Sequence, residues 1–232
     1  MPKFGKMESM IDITQLVQMA KDTIKEMFGE EMEVEIIPLA EVPKRREEFA
    51  KQYGAKIPDD FDGLFAPAKN GNKAFLLIGY KEGDELDLFE KYHHELQHAV
   101  DYFIVMKSIG ELPKYFDHYT EYNAGLEGFY KVNTRVLNML PLEERQQWFD
   151  DAKAHLGKGL AKTPSTIFDL LCYLARVSAL GRIERRLDPA LFAGVHPAVT
   201  DLANFIRHYQ PTKEWYGEFK TKIESIPVKE KK

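Results

Sequence analysis

Apolar residues recur with a helical period from about Ile11 to Phe28, at Ile11, Leu16, Val17, Met19, Ala20, Ile24 and Met27. Gly29 is placed to end that helix. The stretch "MEVEIIPL", Met32 to Leu39, alternates with period two and reads as a strand. Pro43 opens a charged segment to Gly54 that reads as a surface helix. Two short apolar runs follow, Gly63 to Ala68 and Lys73 to Tyr80, separated by "KNGN" at Lys69 to Asn72. Asn-Gly is a strong turn signal, so these runs predict a β-hairpin. Asp84 can cap a helix over about Glu85 to Met106, with an apolar stripe of Phe89, Tyr92, Leu96, Ala99, Val100 and Phe103. Gly110 and Pro113 break the chain, and a helix from about Tyr115 to Leu140 is stopped by Pro141. The remainder reads helical, punctuated at Gly157–Gly159, Pro164, Gly181, Pro189, Gly194–Pro197 and Pro211, with a frayed tail "VKEKK". The pattern predicts an α+β protein, predominantly helical. A core over residues 1–140 carries a small twisted sheet, and a helical region over 141–232 packs on it as a second layer or lid.

Composition narrows the function classes. The chain has 232 residues, 44% of them hydrophobic and 30% charged, with a net charge of −5. That balance does not attract a polyanion, so no nucleic acid is expected as partner. Arg182, Arg185 and Arg186, interrupted by Glu184, read as a solvated helix face. Cys172 is the single cysteine, which excludes an internal disulfide and fits a reducing compartment. It sits in the apolar run "FDLLCYLARV" and reads as a small buried residue. The first residues lack a long apolar segment and no run of about 18 apolar residues occurs, so neither a signal peptide nor a membrane span is expected. The expected location is the cytoplasm. Nothing in the composition sets an oligomeric state.

The chemistry is concentrated in "KYHHELQHAVDYF", Lys91 to Phe103, which contains His94-Glu95-Leu96-Gln97-His98, an H-E-x-x-H pattern. Helical residues four apart differ by about 40° in direction and about 6 Å in height, so His94 and His98 point the same way and can hold one divalent ion. Glu95 is turned by about 100°, off the ion but near a water that the ion activates. That is the arrangement of a zinc hydrolase with a built-in general base. Imidazole and carboxylate donors at an open tetrahedral site favour zinc, one per chain.

A third ligand is then required, and "EYNAGLEGF", Glu121 to Phe129, offers Glu121. In a helix Glu121, Ala124, Gly125 and Gly128 share a face. Glycines inside a helix cost about 1 kcal/mol each relative to alanine, which marks a close approach of another backbone. Such a face can press on the helix of the two histidines and aim Glu121 at the ion. Asp101, Asp117 and His118 compete for that role. Asp101, three residues past His98, reads better as a carboxylate that supports the ligands. His93 points away, and Glu127 reads as supporting or solvated. Tyr119, Tyr122, Tyr130, His196 and His208 are candidate donors to an oxyanion, with Tyr122 next to Glu121.

The order "GLFAP…NGNKAFLLI", "HELQHAVDYF", "EYNAGLEGF" resembles the zincin metallopeptidases of the gluzincin type, and within them the ImmA/IrrE-type proteases and the anthrax lethal factor catalytic domain. The resemblance covers roughly Gly63 to Val132. It implies that His94, His98 and Glu121 are metal ligands, that Glu95 is the general base, and that residues 1–140 form a zincin-like core. It also implies that the strand Lys73 to Tyr80 is a sheet edge along which an extended protein or peptide substrate lies. Gln97 stands where many of those proteins carry glycine, and the helices after Pro141 have no counterpart in the resemblance. The competing readings are a zincin scaffold used for binding or regulation, and a helical structural protein in which the pattern is accidental. A peptide-deformylase-like reading is set aside, because its cysteine ligand lies upstream of the motif and Cys172 lies downstream.

Overall fold

The computed structural model describes residues 12–53, 63–68, 73–162, 164–186 and 188–229. They form an α+β protein in which helices predominate over one three-stranded sheet. The chain forms two compact units, Met1–Ala99 and Val100–Lys232.

In the first unit α1 (Ile13–Phe28) starts at Asp12, whose carboxylate accepts from the Thr14 and Gln15 amides, and ends at Gly29 in the left-handed conformation. Glycine adopts that conformation without a Cβ penalty, so the predicted stop has its expected cause. Then come β1 (Met32–Pro38), α2 (Val42–Tyr53), β2 (Gly63–Ala66), β3 (Ala74–Tyr80) and α3 (Glu85–Ile109), which continues into the second unit. β2 and β3 pair antiparallel, as the two apolar runs predict; the Lys69–Asn72 turn lies outside the described residues. β1 pairs parallel with β3, and the strand order is β1-β3-β2.

β3 is therefore the central strand and not the edge that the resemblance implies. Its side chains explain why. Ala74 to Ile78 are all buried, and a strand covered on both faces needs an unbroken apolar run. Phe75 and Leu77 meet Phe49 of α2 on one face, while Leu76 and Ile78 point to the other, which Val34 and Ile36 share. An Arg45–Glu35 ion pair with two contacts, at 2.7 and 2.8 Å, ties α2 to β1.

In the second unit the end of α3 is followed by α4 (Phe116–Met139), α5 (Leu142–Leu160), α6 (Ile167–Glu184), α7 (Pro197–Ile206) and α8 (Lys213–Glu224). α6 starts at a reciprocal cap between Thr166 and Asp169. α4 and α6 run side by side in the same direction: Tyr122 meets Ser178, and Glu127 meets Arg182. One hydrophobic core, including Val105, Leu126, Leu174, Leu180, Leu202 and Phe219, draws on helices before and after Pro141. An aromatic cluster closes it, with Tyr119 stacked on Tyr209 at 4.0 Å and Trp215 on Phe219 at 5.0 Å. The tail expected to fray is held as far as Lys229, whose amide donates to the Pro164 carbonyl at 3.0 Å.

Two readings of single residues change. Cys172 is exposed, because Leu170, Leu171, Leu174 and Ala175 take the buried side of α6 and leave Cys172 and Arg176 outside. Gly125 faces α6, where a Cβ would lie 3.5 Å from the Ala175 Cβ, an ordinary contact that does not demand glycine. Among the described residues no helix is long and apolar enough to cross a membrane.

Leu174 is 1% exposed and Leu142 is 77% exposed. Leu174→Ala is expected to lower the unfolding free energy by about 2–5 kcal/mol, and Leu142→Ala to change it by less than about 0.5 kcal/mol. Urea denaturation of the two variants checks the assignment of the core.

Candidate metal centre

The buried positions of α3 are Leu88, Tyr92, Glu95, Ala99, Asp101, Phe103 and Val105. The stripe predicted through Leu96 and Val100 is rotated, so that it passes through Glu95. A glutamate counts as polar in any hydropathy pattern, and this hides the true phase of the helix. His94 and His98 flank that stripe and are half-buried. Their Nε2 atoms stand 3.1 Å apart, with the rings nearly perpendicular at 80°. Two imidazoles on one tetrahedral zinc, with Zn–N bonds of about 2.0–2.1 Å, hold their nitrogens about 3.3 Å apart. The observed separation therefore suits a shared ion.

The donor atoms of His94, His98 and Glu121 all lie within 4.8 Å of one another. Asp117 and His118, the other candidates on α4, are not part of this group. The His118 ring stacks on Phe168 at 4.4 Å.

Asp101 sets the position of Glu121. It is 1% exposed and accepts from the Thr120 hydroxyl at 3.0 Å and from the Asn123 amide at 2.8 Å. These two donors bracket Glu121 along α4. Asp101 itself lies one helical turn beyond His98 in the same continuous helix. Its carboxylate thus ties the end of α3 to α4.

The electrostatics of the three donors have one cause. Burial pushes the His94 imidazole down to about 4 and that of His98 down to about 3, the latter helped by His94. Both rings are neutral near pH 7, the form in which an imidazole can ligate a cation. Burial, and then the charge of Asp117, raises Glu121 above the ordinary carboxylate range. A nearby divalent cation reverses each of these costs, so the donor set fits a metal ion in chemistry as well as in spacing.

Glu95 is 8% exposed and sits against Gly63 of β2. A Cβ on Gly63 would meet the Glu95 Cγ and Oε1 at 2.6 Å. Gly63 pairs with Ile78 on the sheet face opposite Phe49, which is the face that Glu95 covers. Only a hydrogen fits between β2 and this carboxylate. The hairpin signal in the sequence marks the strand but not this steric role, which needs the register of β2 against α3.

The other expected participants take structural roles. Tyr122, predicted beside the ligands, is 3% exposed, and its hydroxyl donates to Ser178 at 2.9 Å. One residue along a helix is a turn of about 100°, which carries it from the side of Glu121 to that of α6. Tyr119 belongs to the aromatic cluster, Lys131 and Arg182 lie over the Tyr130 ring, His196 caps α7 through Nδ1, and His208 is exposed. His93 packs edge-on against Phe89 and Tyr92. Glu127 pairs with Arg182 at 2.7 Å. Cys172, which the sequence does not connect with the ligands, lies within electrostatic reach of Glu121: partial desolvation and then that carboxylate raise its thiol. The chain matches no protein-family profile, no curated protein and no solved structure.

Gly63→Ala is expected to destabilise the protein by about 1–3 kcal/mol, the cost of overpacking. Adding Glu95→Ala removes the clash, so the pair must be less destabilised than the sum of the single variants; additive losses would separate Gly63 from Glu95. The histidines give a pH prediction. They bind no proton in the native state where the unfolded chain does, so their contribution is complete above pH 6.5 and is lost as pH falls toward 4. After chelation, stability should drop between pH 7 and pH 5 by about 2 kcal/mol per imidazole. His94→Gln/His98→Gln should flatten that slope in denaturation curves at the two pH values.

Proposed function

We propose that this chain is a zinc-dependent metallopeptidase, an endopeptidase that hydrolyses peptide bonds with Glu95 as general base. The observation that carries the reading is the convergence of the His94, His98 and Glu121 donor atoms within 4.8 Å, beside a buried glutamate one residue from the first histidine. Three protein ligands and one open position make a catalytic rather than a structural zinc site. The resemblance of "HELQHAVDYF" and "EYNAGLEGF" to the gluzincins supports the same assignment.

His94, His98 and Glu121 would hold the zinc, which when bound would supply Lewis-acid polarisation of a carbonyl and a more acidic water. The chain's own residues do the rest. Glu95 takes the proton of the attacking water and returns it to the leaving amine. Gly63 leaves room for that carboxylate, and Asp101 holds the segment of α4 that carries Glu121. β2 is an outer strand of the sheet, and among the described residues it pairs only with β3. It therefore takes over the role first expected of Lys73 to Tyr80: an extended protein or peptide substrate adds to the free side of β2, next to Glu95. The exposed thiol of Cys172 suits a reducing, cytoplasmic setting.

Elemental mass spectrometry should find about one zinc per chain in the wild type and much less in Glu121→Ala. Glu95→Gln should keep the metal and lose about 10²–10⁴-fold of peptide hydrolysis, measured on a fluorogenic peptide library. A wild type that holds no metal when zinc is supplied would reduce the motif to a polar helix face. Metal without hydrolysis would leave the scaffold as a binding or regulatory protein.

A further inference from the structure

The arginines at the end of α6 are solvated, as their sequence suggests, and they also share a concave surface. Arg182, Arg185 and Arg186 line a cleft of about 450 Å³, and Arg207, just past α7, lines it too. The whole chain carries a net charge of −5, so four cations around one cleft run against its average. The acids nearest in sequence make their direct contacts elsewhere, although Asp188 stays within electrostatic reach of Arg186. Glu184 pairs with Lys153 at 2.6 Å. Asp188 shares that lysine at 3.5 Å and accepts the Ala190 amide at 3.0 Å. Arg182 is paired with Glu127. Among the described residues, the guanidinium groups of Arg185, Arg186 and Arg207 make no hydrogen bond or ion pair.

The backbone adds a second observation. Arg185 caps α6 in the left-handed conformation, at φ 59° and ψ 19°, one of two non-glycine residues with positive φ among those described. A long side chain is held there in a conformation that favours glycine, and it lines the cleft. Beneath the arginines the lining turns amphipathic. Leu126 and Ile206 are apolar, and Tyr122 and Ser178 are joined by their hydrogen bond.

We propose that this cleft binds a small phosphate-bearing organic molecule, with Arg185, Arg186 and Arg207 on the phosphate and the tyrosine-containing floor under the organic part. Guanidinium groups match phosphate oxygens in pairs and remain charged at every relevant pH. The cleft has the volume of a small-molecule site. Its mixed floor suits an organic body better than an isolated ion, and its size suits a mononucleotide better than an extended acidic peptide. The site is independent of the metallopeptidase reading, because none of the proposed zinc ligands lines it.

Calorimetric titration of the full chain tests the proposal, with adenosine monophosphate, inorganic phosphate, adenosine and a tetra-aspartate peptide as probes. Adenosine monophosphate is expected to bind saturably, more tightly than inorganic phosphate, with no binding of adenosine. Arg185→Gly/Arg207→Gln should weaken it at least about tenfold, with an unchanged melting curve. Glycine keeps the left-handed backbone, and Arg207 is exposed, so the variant retains its fold. Four outcomes overturn the proposal: no saturable binding of adenosine monophosphate at millimolar concentration, equal affinity in the double variant, equal affinity for inorganic phosphate, or tighter binding of the peptide.

Discussion

The hydrogen bonds of the Asp101 carboxylate decide where α4 lies against the end of α3, and with it where Glu121 can be. A carboxylate at 1% exposure is costly unless its lone pairs are filled, and two of the groups that fill them come from Thr120 and Asn123. Both are on the same short stretch of α4, on either side of Glu121. An interaction of this kind fixes register. A slide of α4 by one turn would leave a buried charge without its donors, which costs far more than a small shift in apolar packing.

The donors that this register serves are poorly suited to being buried by themselves. The two imidazoles are forced neutral, and the Glu121 carboxyl is pushed toward its protonated form. Stability alone would favour apolar side chains at such positions. Clusters of groups whose burial disfavours their charge, meeting around one point, are a mark of functional sites. Gly63 belongs to the same economy of space: the sheet comes so near to α3 that the Glu95 carboxylate occupies the room a side chain on β2 would need.

α4 presents polar residues on two sides. Glu121 joins the histidines, while Tyr122 and Asn123 line the arginine cleft. Asn123 is shared between the two, since its amide also donates to Asp101. Arg182 of α6, together with Arg185 and Arg186 just past α6 and Arg207 just past α7, supplies the cleft's positive charge.

Local patterning was enough for most elements. Period 3.6 in α1, the continuous apolar run of β3, Gly29 as a stop and Pro141 as a break are properties of a few neighbouring residues, and they appear where the pattern places them. The i, i+4 spacing of His94 and His98 is equally local, and it puts both rings on one side of α3, where their nitrogens stand 3.1 Å apart. What tertiary structure decided involves residues far apart in sequence. β3 became central because β1, more than 35 residues earlier, pairs with it in parallel. Glu95 proved to lie on the buried stripe because Gly63 leaves it room, and Tyr122 and Cys172 exchanged their expected surroundings through the packing of α6. The arginines of α6 define a cleft only once Lys153 has taken Glu184 and Arg207 has joined them. Spacing along one helix fixes directions by covalent geometry, whereas burial and charge pairing depend on partners that only the folded chain brings together.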